Sequence, residues 1–337
     1  TESNNGTNQQ KVEKMKPYQQ AFVGLAAAAS LVGANAFVTP TFSTSSRRPR
    51  TAKAALKMSA DLSDVRVMVN GMPGPMAAAA AEACLRKGLD LAPVALTGPD
   101  VTPCTITVSD SVTGKTADVR LIPADQGEEI DAAVEGMQVA CGPDNLLAID
   151  FTHPSAVNGN AKFYAEKNIP FVMGTTGGDR DQLMKDMEEA KHSAVIAPNM
   201  AKQIVALQAG LEDLAKKFPG AFAGYKINVR ESHQKTKADT SGTAKAVVAS
   251  LNELGDDDFE LKDIEKIRDD DESMKFGVPE EGLNGHAFHT YTFTSPDGSV
   301  EFQLQHNVVG RTVYAEGTAD GIKFLAGKIR EGGEGKI

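Results

Sequence analysis

The feature that most narrows the folds open to this chain is the stretch from Val65 to Gly88, VRVMVNGMPGPMAAAAAEACLRKG. The β-branched run from Val65 to Val69 reads as a short strand, the chain turns through Asn70 and Gly71, and an alanine-rich helical pattern continues to Gly88. Strand, glycine turn and helix in that order form the context in which a glycine pattern becomes informative. Gly71 and Gly74 stand where a tight turn and a close backbone approach to phosphate are needed; Met72, Pro73 and Pro75 fill the turn, and Met76 opens the helix. The spacing is G-x-x-G-x-x rather than G-x-G-x-x-G, with Ala77 in the last place, small enough for close helix–strand packing. A helix start of this kind offers unpaired N–H groups and the positive end of its dipole to a pyrophosphate. Glycine-rich turns also occur without a ligand, so the rest of the chain has to decide.

The apolar run from Leu89 to Leu96 reads as a second parallel strand closing a βαβ unit. Beyond it stand Thr97, Gly98, Pro99 and Asp100, with no acid at the strand tip for a ribose hydroxyl and no arginine for a 2′-phosphate. The choice between NADH and NADPH is therefore unreadable. Two more strand ends follow: Asp150, Phe151 and Thr152 after NLLAI, and Gly174, Thr175 and Thr176 after IPFVM. Ligands of open α/β sheets collect outside the carboxyl ends of the strands, which puts both groups where a nicotinamide and its ribose would lie. A strand at Ala194–Ala197 then leads through Ala197, Pro198, Asn199 and Met200 into a long amphipathic helix from about Lys202.

Several other function classes are disfavoured. The net charge of −10 argues against a general affinity for nucleic acid, and the acid is concentrated in GDDDFELKDIEKIRDDDES (255–273), read as a solvated loop or helix face. The three cysteines are far apart and give neither a disulfide framework nor a metal spacing, and no metal site is expected. Lys14 and Lys16 precede an apolar stretch from Ala21 to Ala36 that ends in Ala34-Asn35-Ala36, the order of a secretory signal peptide (about 15–36). An acid-poor, Ser- and Arg-rich stretch (about 37–60) follows, with transit-peptide composition. In tandem they resemble the bipartite leader of algae with complex plastids, implying delivery to the chloroplast stroma. A plain secreted protein is the alternative. No apolar run in the mature part is long enough to span a bilayer.

The chemistry concentrates in ESHQKTKADTSGTAKAV, from Glu231 to Val247. An imidazole at His233, an ammonium at Lys237 and a Ser241-Gly242-Thr243 turn before a helical pattern suit a small dianion that takes up a proton. Ser241 reads as an N-cap, leaving the N–H groups of Gly242 and Thr243 free for a carboxylate. Taken in order, the Gly-x-x-Gly-x-Met turn, Asp-Phe-Thr, Gly-Thr-Thr-Gly, Ala-Pro-Asn-Met and Glu-Ser-His-Gln-x-x-Lys-x-Asp-x-Ser-Gly-Thr-Ala resemble the 4-hydroxy-tetrahydrodipicolinate (dihydrodipicolinate) reductases over residues 65–330. The ending HNVVGRTVYAEGTADGIKFLA is similar to the plant branch of that family.

The resemblance implies NADPH or NADH as cofactor, bound by Asn70 to Met76, Asp150 to Thr152, Gly174 to Thr176 and Ala197 to Met200. It implies His233 as proton donor with Lys237 beside it, and a dicarboxylate substrate held by Gln234, Ser241, Gly242 and Thr243. Bacterial members usually carry a second histidine where this chain has Gln234, and often a basic residue where it has Pro75. His153 is expected near the cofactor; His192, His286, His289 and His306 are read as structural, and Arg311 as a candidate substrate or supporting contact.

Two other readings compete with this one. A semialdehyde dehydrogenase needs an activated cysteine, and Cys84 in a helix, with Cys104 and Cys141 in loops, offers none. A non-catalytic NAD(P)-binding regulatory protein on the same scaffold predicts loss of the His233/Lys237 pair, which is present. The expected architecture is a Rossmann-type, doubly wound parallel sheet (61–199 plus 311–337) and an α+β domain with an open mixed sheet (200–310) for substrate and self-association. A homodimer or homotetramer is implied.

Overall fold

Successive residues of a strand face opposite sides of its sheet, and in the first strand both sides are apolar. The computed structural model describes residues 62–256 and 258–332; the expected leader lies outside them. Strand β1 (Arg66–Asn70) is followed by α1 (Pro75–Arg86), β2 (Asp90–Leu91), β3 (Val94–Thr97), β4 (Cys104–Ser109), β5 (Thr116–Pro123), α2 (Gly127–Cys141) and β6 (Leu146–Asp150). Then come α3 (Val157–Glu166), β7 (Phe171–Met173), α4 (Arg180–Ala190) and β8 (Ala194–Ile196). The wholly parallel sheet has the order β2-β1-β6-β7-β8. Val67, Val69, Leu147 and Ile149 pack on one side with Ala77, Ala80 and Cys84 of α1. Met68, Leu146 and Ala148 pack on the other with Val134 of α2, Ala161 and Tyr164 of α3 and Leu183 of α4. Burial on both faces is what a doubly wound parallel sheet requires.

The single strand expected over Leu89–Leu96 is broken. Pro93 has no N–H to give a ladder; its carbonyl instead accepts from Arg120 N at 2.8 Å, and β3 leaves to pair with β5 in a separate three-stranded sheet, β3-β5-β4. Cys104, expected in a loop, begins β4, and Cys141, likewise expected in a loop, ends α2.

Helix α5 (Lys202–Lys217) leads to a second sheet, β10-β9-β11-β12, built from β9 (Lys226–His233), β10 (Glu265–Ile267), β11 (His286–Thr294) and β12 (Glu301–Val309). Between β9 and β10 lies α6 (Gly242–Leu254), and between β10 and β11 the short α7 (Asp270–Lys275). Ile227, Val229, Tyr291 and Phe293 on one sheet face bury against Val247, Val248 and Leu251 of α6. The β9, β11 and β12 strands are the ones their alternation implies. The acidic stretch 255–273 is less bland than expected, for it contains β10 and the start of α7 and carries the buried Ile264, Ile267 and Ser273.

The last helix, α8 (Thr312–Arg330), returns to α1. Ala315, Ala319 and Ile322 join the core on the α1 side of the parallel sheet. Arg86 Nε meets Glu316 at 2.7 Å, and Lys87 Nζ meets Glu316 at 2.9 Å and Asp320 at 2.8 Å. No helix among the described residues is long and apolar enough to cross a membrane.

Candidate active site

The β1–α1 turn forms one wall of a cleft of about 680 Å³. Gly71, Met72, Pro73 and Gly74 line it together with Phe151, Thr152 and His153 after β6, and Thr97, Gly98 and Pro99 after β3. Gly71 has φ +97°, and a Cβ there would lie 2.4 Å from the Phe151 carbonyl oxygen. Only glycine fits both the conformation and the space. Helix α1 begins with Pro75, which has no N–H, after Gly74; it has no side-chain cap and no acid in its first turn, which leaves the Met76 and Ala77 amides without a side-chain cap. The residues present therefore fit a dinucleotide. We expect Gly71→Ala to raise the dissociation constant of NADH or NADPH, read by nucleotide fluorescence, at least ~tenfold, because strain of about 1–3 kcal/mol falls on the loop that approaches the phosphates.

Two of the expected nucleotide contacts work from behind the cleft. Asn70 is fully buried; its Nδ2 donates to Tyr164 Oη at 2.8 Å and its Oδ1 accepts from Leu96 N at 2.8 Å. Asp150 is also fully buried, with Oδ2 accepting from Tyr164 Oη at 2.6 Å and Asn160 Nδ2 at 2.9 Å, and Oδ1 from Thr152 N at 3.0 Å and Thr152 Oγ1 at 2.7 Å. Side chains so engaged shape the loops instead of reaching into the cleft. Gly174 and Thr175 do likewise. The Phe151 ring fills the space a Cβ on Gly174 would need, at 2.3 Å, and Thr175 Oγ1 donates to Thr152 O at 3.2 Å. Pro75, Met76, Thr176, Ala197, Pro198 and Met200 are not on the cleft wall. Asn199 points the other way: its Nδ2 donates to Thr243 Oγ1 at 3.1 Å, joining the loop after β8 to the start of α6.

That helix start is the second half of the site. Ser241 is the N-cap residue of α6 by position, but its side chain makes no capping bond, so the first-turn amides of Gly242 and Thr243 are uncapped. The Ser241 amide itself is taken, donating to Glu231 Oε2 at 3.1 Å. Lys237 is partly exposed and its Nζ meets Asp239 at 2.7 Å, while Gln234 sits beside it half-buried. Arg311 is exposed at the head of α8. Neither His233 nor Lys237 lies on the cleft wall; the Asn199–Thr243 hydrogen bond connects the two halves.

The group that holds the β9–α6 loop in shape carries no signal in the sequence. Arg268, just past β10, donates through Nε to Lys237 O at 2.7 Å, through Nη1 to Glu231 O at 3.2 Å, and through Nη2 to Asp239 O at 3.3 Å. Its Nη2 also closes an ion pair with the fully buried Glu231 carboxylate. Burial alone would raise Glu231; His289 and Arg268 beside it reverse that and hold it at about 2. His289 Nε2 lies 3.7 Å from Glu231 Oε2 and 3.3 Å from His233 Nε2. So His289, expected to be structural, belongs to the surroundings of the proposed proton donor. His286 and His192 do have the satisfied surroundings expected of structural residues. His286 contacts Ser232 Oγ at 2.8 Å and Gly282 O at 3.2 Å, and His192 contacts Ile169 O at 2.8 Å. A signal existed: period-two alternation in HAFHTYTFT puts His289 on the same face as Tyr291 and Phe293, and Glu231 on that of His233.

His233 is buried, and its Nδ1 is 3.0 Å from His286 O. Burial, followed by the nearby His289, pushes its pKa down to about 3. His233 is therefore a neutral imidazole. Glu231, His233 and His289 have atoms close enough to hold a cation, but Arg268 and the Ser241 amide already occupy the carboxylate, and a dication would face the guanidinium.

These rings carry a pH consequence. His306, stacked 4.6 Å from His289, is held at about 4 against an ordinary 6.5, first by burial and then by His289. Its folded pKa is depressed, so the unfolded chain takes up protons first as the pH falls. The stability contributed by the neutral ring is complete above about pH 6.5 and is lost as the pH drops toward 4. His233 acts with the same sign, and Glu231 adds a loss below its ordinary 4.5. We expect denaturant titrations to give less stability at pH 5 than at pH 8, and His306→Gln to remove part of that difference.

A parallel sheet with an open dinucleotide turn, joined to a loop–helix unit carrying a histidine, a lysine and uncapped helix amides, defines a Rossmann-type oxidoreductase. Residues 65–200 match the family description "Dihydrodipicolinate reductase, N-terminus" and residues 204–333 match "Dihydrodipicolinate reductase, C-terminus". The chain belongs to the dihydrodipicolinate reductase family. It is 44% identical over 272 residues to 4-hydroxy-tetrahydrodipicolinate reductase 1, chloroplastic, of Arabidopsis thaliana, covering 79% of this chain and 74% of that protein. To the second Arabidopsis protein of that name it is 44% identical over 274 residues, covering 81% and 75%. The fold is similar to the dipicolinate-bound dihydrodipicolinate reductase from Paenisporosarcina sp. TG-14, with a TM-score of 0.51 and 20% identity over 79% of this chain and 95% of that one.

Proposed function

We propose that the protein reduces 4-hydroxy-tetrahydrodipicolinate to tetrahydrodipicolinate with loss of water, using NADH or NADPH, in the diaminopimelate route to lysine. The observation that carries this reading is the conjunction of His233 and Lys237 with the uncapped amides of Gly242 and Thr243 on one loop–helix unit. The family membership and the names of the plant relatives support a reductase over a non-catalytic nucleotide-binding protein. Cys84 does not support a thiol mechanism, being fully buried with its thiol pushed up to about 12 by burial.

The bound nicotinamide supplies the hydride, and the chain does the rest. One substrate carboxylate sits on the amides of Gly242 and Thr243, where the dipole of α6 favours negative charge. The other draws the ammonium of Lys237 away from the exposed Asp239, and Gln234 adds a neutral hydrogen bond. Two carboxylates beside a buried neutral imidazole favour its protonated form, opposing the burial that disfavours it. His233 then delivers the proton to the ring carbon next to the one that receives hydride.

The test is oxidation of NADH and NADPH, each with freshly prepared condensation product as substrate. Turnover that depends on this dianion supports the proposal, and no oxidation of either nucleotide overturns it. The chloroplastic names of the plant relatives support a plastid location, with the bipartite leader of an alga with complex plastids as the finer reading. Exposed Phe302 and Val309 on β12 at the sheet edge support self-association as a dimer or tetramer, which sedimentation of the Phe302→Glu variant would test.

A further inference from the structure

We propose that the nucleotide cleft selects NADH over NADPH: its adenosine end is flanked by carboxylates and, among the described residues, lined by no lysine or arginine, so a ribose 2′-hydroxyl is accepted there and a 2′-phosphate is repelled. The inference rests on the reading of the cleft as a dinucleotide site and gives that reading a preference.

The sheet order says which end is which. A dinucleotide lies across the point where strand order reverses, with its pyrophosphate at the first strand–turn–helix unit. In the order β2-β1-β6-β7-β8 that point falls between β1 and β6, so the adenosine half belongs on the side of β2 and β3. Strand β3 leaves the parallel sheet, yet its end stays against the glycine turn. Gly71 N donates to Leu96 O at 2.9 Å, and Thr97 Oγ1 donates to Met72 O at 2.6 Å. Residues 98–101 then form a turn closed by Val101 N donating to Gly98 O at 3.1 Å. The exposed Asp100 stands in that turn between Pro99 and Val101, both on the cleft wall. The end of β5 completes the rim. Ala124, also on the wall, donates its amide to Thr97 O at 3.0 Å, and the exposed Asp125 follows it. Ile130 of α2 lines the same end, and Glu128 and Glu129 occupy the first turn of that helix, where they already answer the positive end of its dipole.

The cations of the neighbourhood are engaged elsewhere or lack charge. Arg120 of β5 pairs with Glu129 at 2.6 Å. The glycine turn carries Pro75, which brings neither charge nor N–H. His153, on the β6 side of the cleft, accepts at Nδ1 from Ser155 N at 3.2 Å; a nitrogen that accepts has no hydrogen, so the ring brings no positive charge. A phosphomonoester carries about −1.5 to −2 charges at pH 7, which carboxylates oppose. A hydroxyl in its place can donate to the same carboxylates, the usual role of an acid beside the ribose.

The experiment is fluorescence titration of the full chain with NADH and with NADPH, without substrate, at ~0.01 M and ~1 M salt, where screening lengths are about 30 Å and 3 Å. At low salt we expect the dissociation constant of NADPH to exceed that of NADH at least ~tenfold. At high salt the gap should narrow by at least ~threefold, because the repulsion is screened and NADH is little affected. Asp100→Arg, in an exposed turn, should bring the two constants together or reverse them. An NADPH constant equal to or below that of NADH in the parental protein overturns the proposal, as does a gap that neither salt nor Asp100→Arg alters. Binding of neither nucleotide overturns it together with the dinucleotide reading. A preference for NADH without oxidation in the presence of the condensation product supports it and counts against the proposed function alone.

Discussion

Replacing His233 by glutamine is expected to lower kcat by about 10²–10⁴-fold, the usual contribution of a positioned general acid. KM should change only a few-fold, because the proposed seats of the substrate carboxylates, the amides of Gly242 and Thr243 and the ammonium of Lys237, are not removed by the substitution. Nucleotide affinity should stay at the parental value, since His233 is not on the wall of the Gly71–Gly74 cleft. The glutamine is neutral and can still donate to His286 O, so folding should survive. Stopped-flow traces of nucleotide oxidation, with nucleotide titrations alongside, separate these effects. A loss confined to KM would contradict the assignment.

Arg268→Met is expected to be the most damaging single change to stability. It removes the guanidinium from Glu231, which is fully buried, and leaves the carboxylate with the Ser241 amide and the His289 ring 3.7 Å away. Breaking one side of a buried ion pair costs about 3–5 kcal/mol, which for a domain of this size lowers Tm by about 10 °C. The same substitution frees the carbonyls of Lys237 and Asp239, so the loop loses its shape as well as its charge balance. The double variant Glu231→Leu/Arg268→Met should recover much of the Tm, because a buried pair replaced by apolar side chains of similar size is often near neutral. It should not recover KM, since the hydrogen bond from Arg268 to the Lys237 carbonyl is still missing. Calorimetry and substrate saturation on the single and double variants test both halves.

The parts of the fold and site that could be read from the sequence are those in which cause and effect are near each other in the chain. The β1–turn–α1 unit is legible because the apolar run, the glycines and the alanine helix follow without a gap. The loop from His233 to Thr243 is legible for the same reason. Arg268 and His289 are not, because what brings them to Glu231 is the pairing of β10 and β11 with β9. A one-residue slip in either register would send a different side chain there. Arg268 is further hidden by standing among aspartates, where a solvated face is the ordinary reading. The break at Pro93 could have been foreseen from its missing N–H, but the partner that takes over, β5, had not been recognised as a strand.

Helix α8 returns across the described chain to cover the alanine face of α1, and Gly317 approaches the Met200 carbonyl so closely that a Cβ would come within 1.7 Å of it. The core on that side of the parallel sheet is therefore shared by segments from either side of the second sheet in sequence, and it is complete only once α8 has been made.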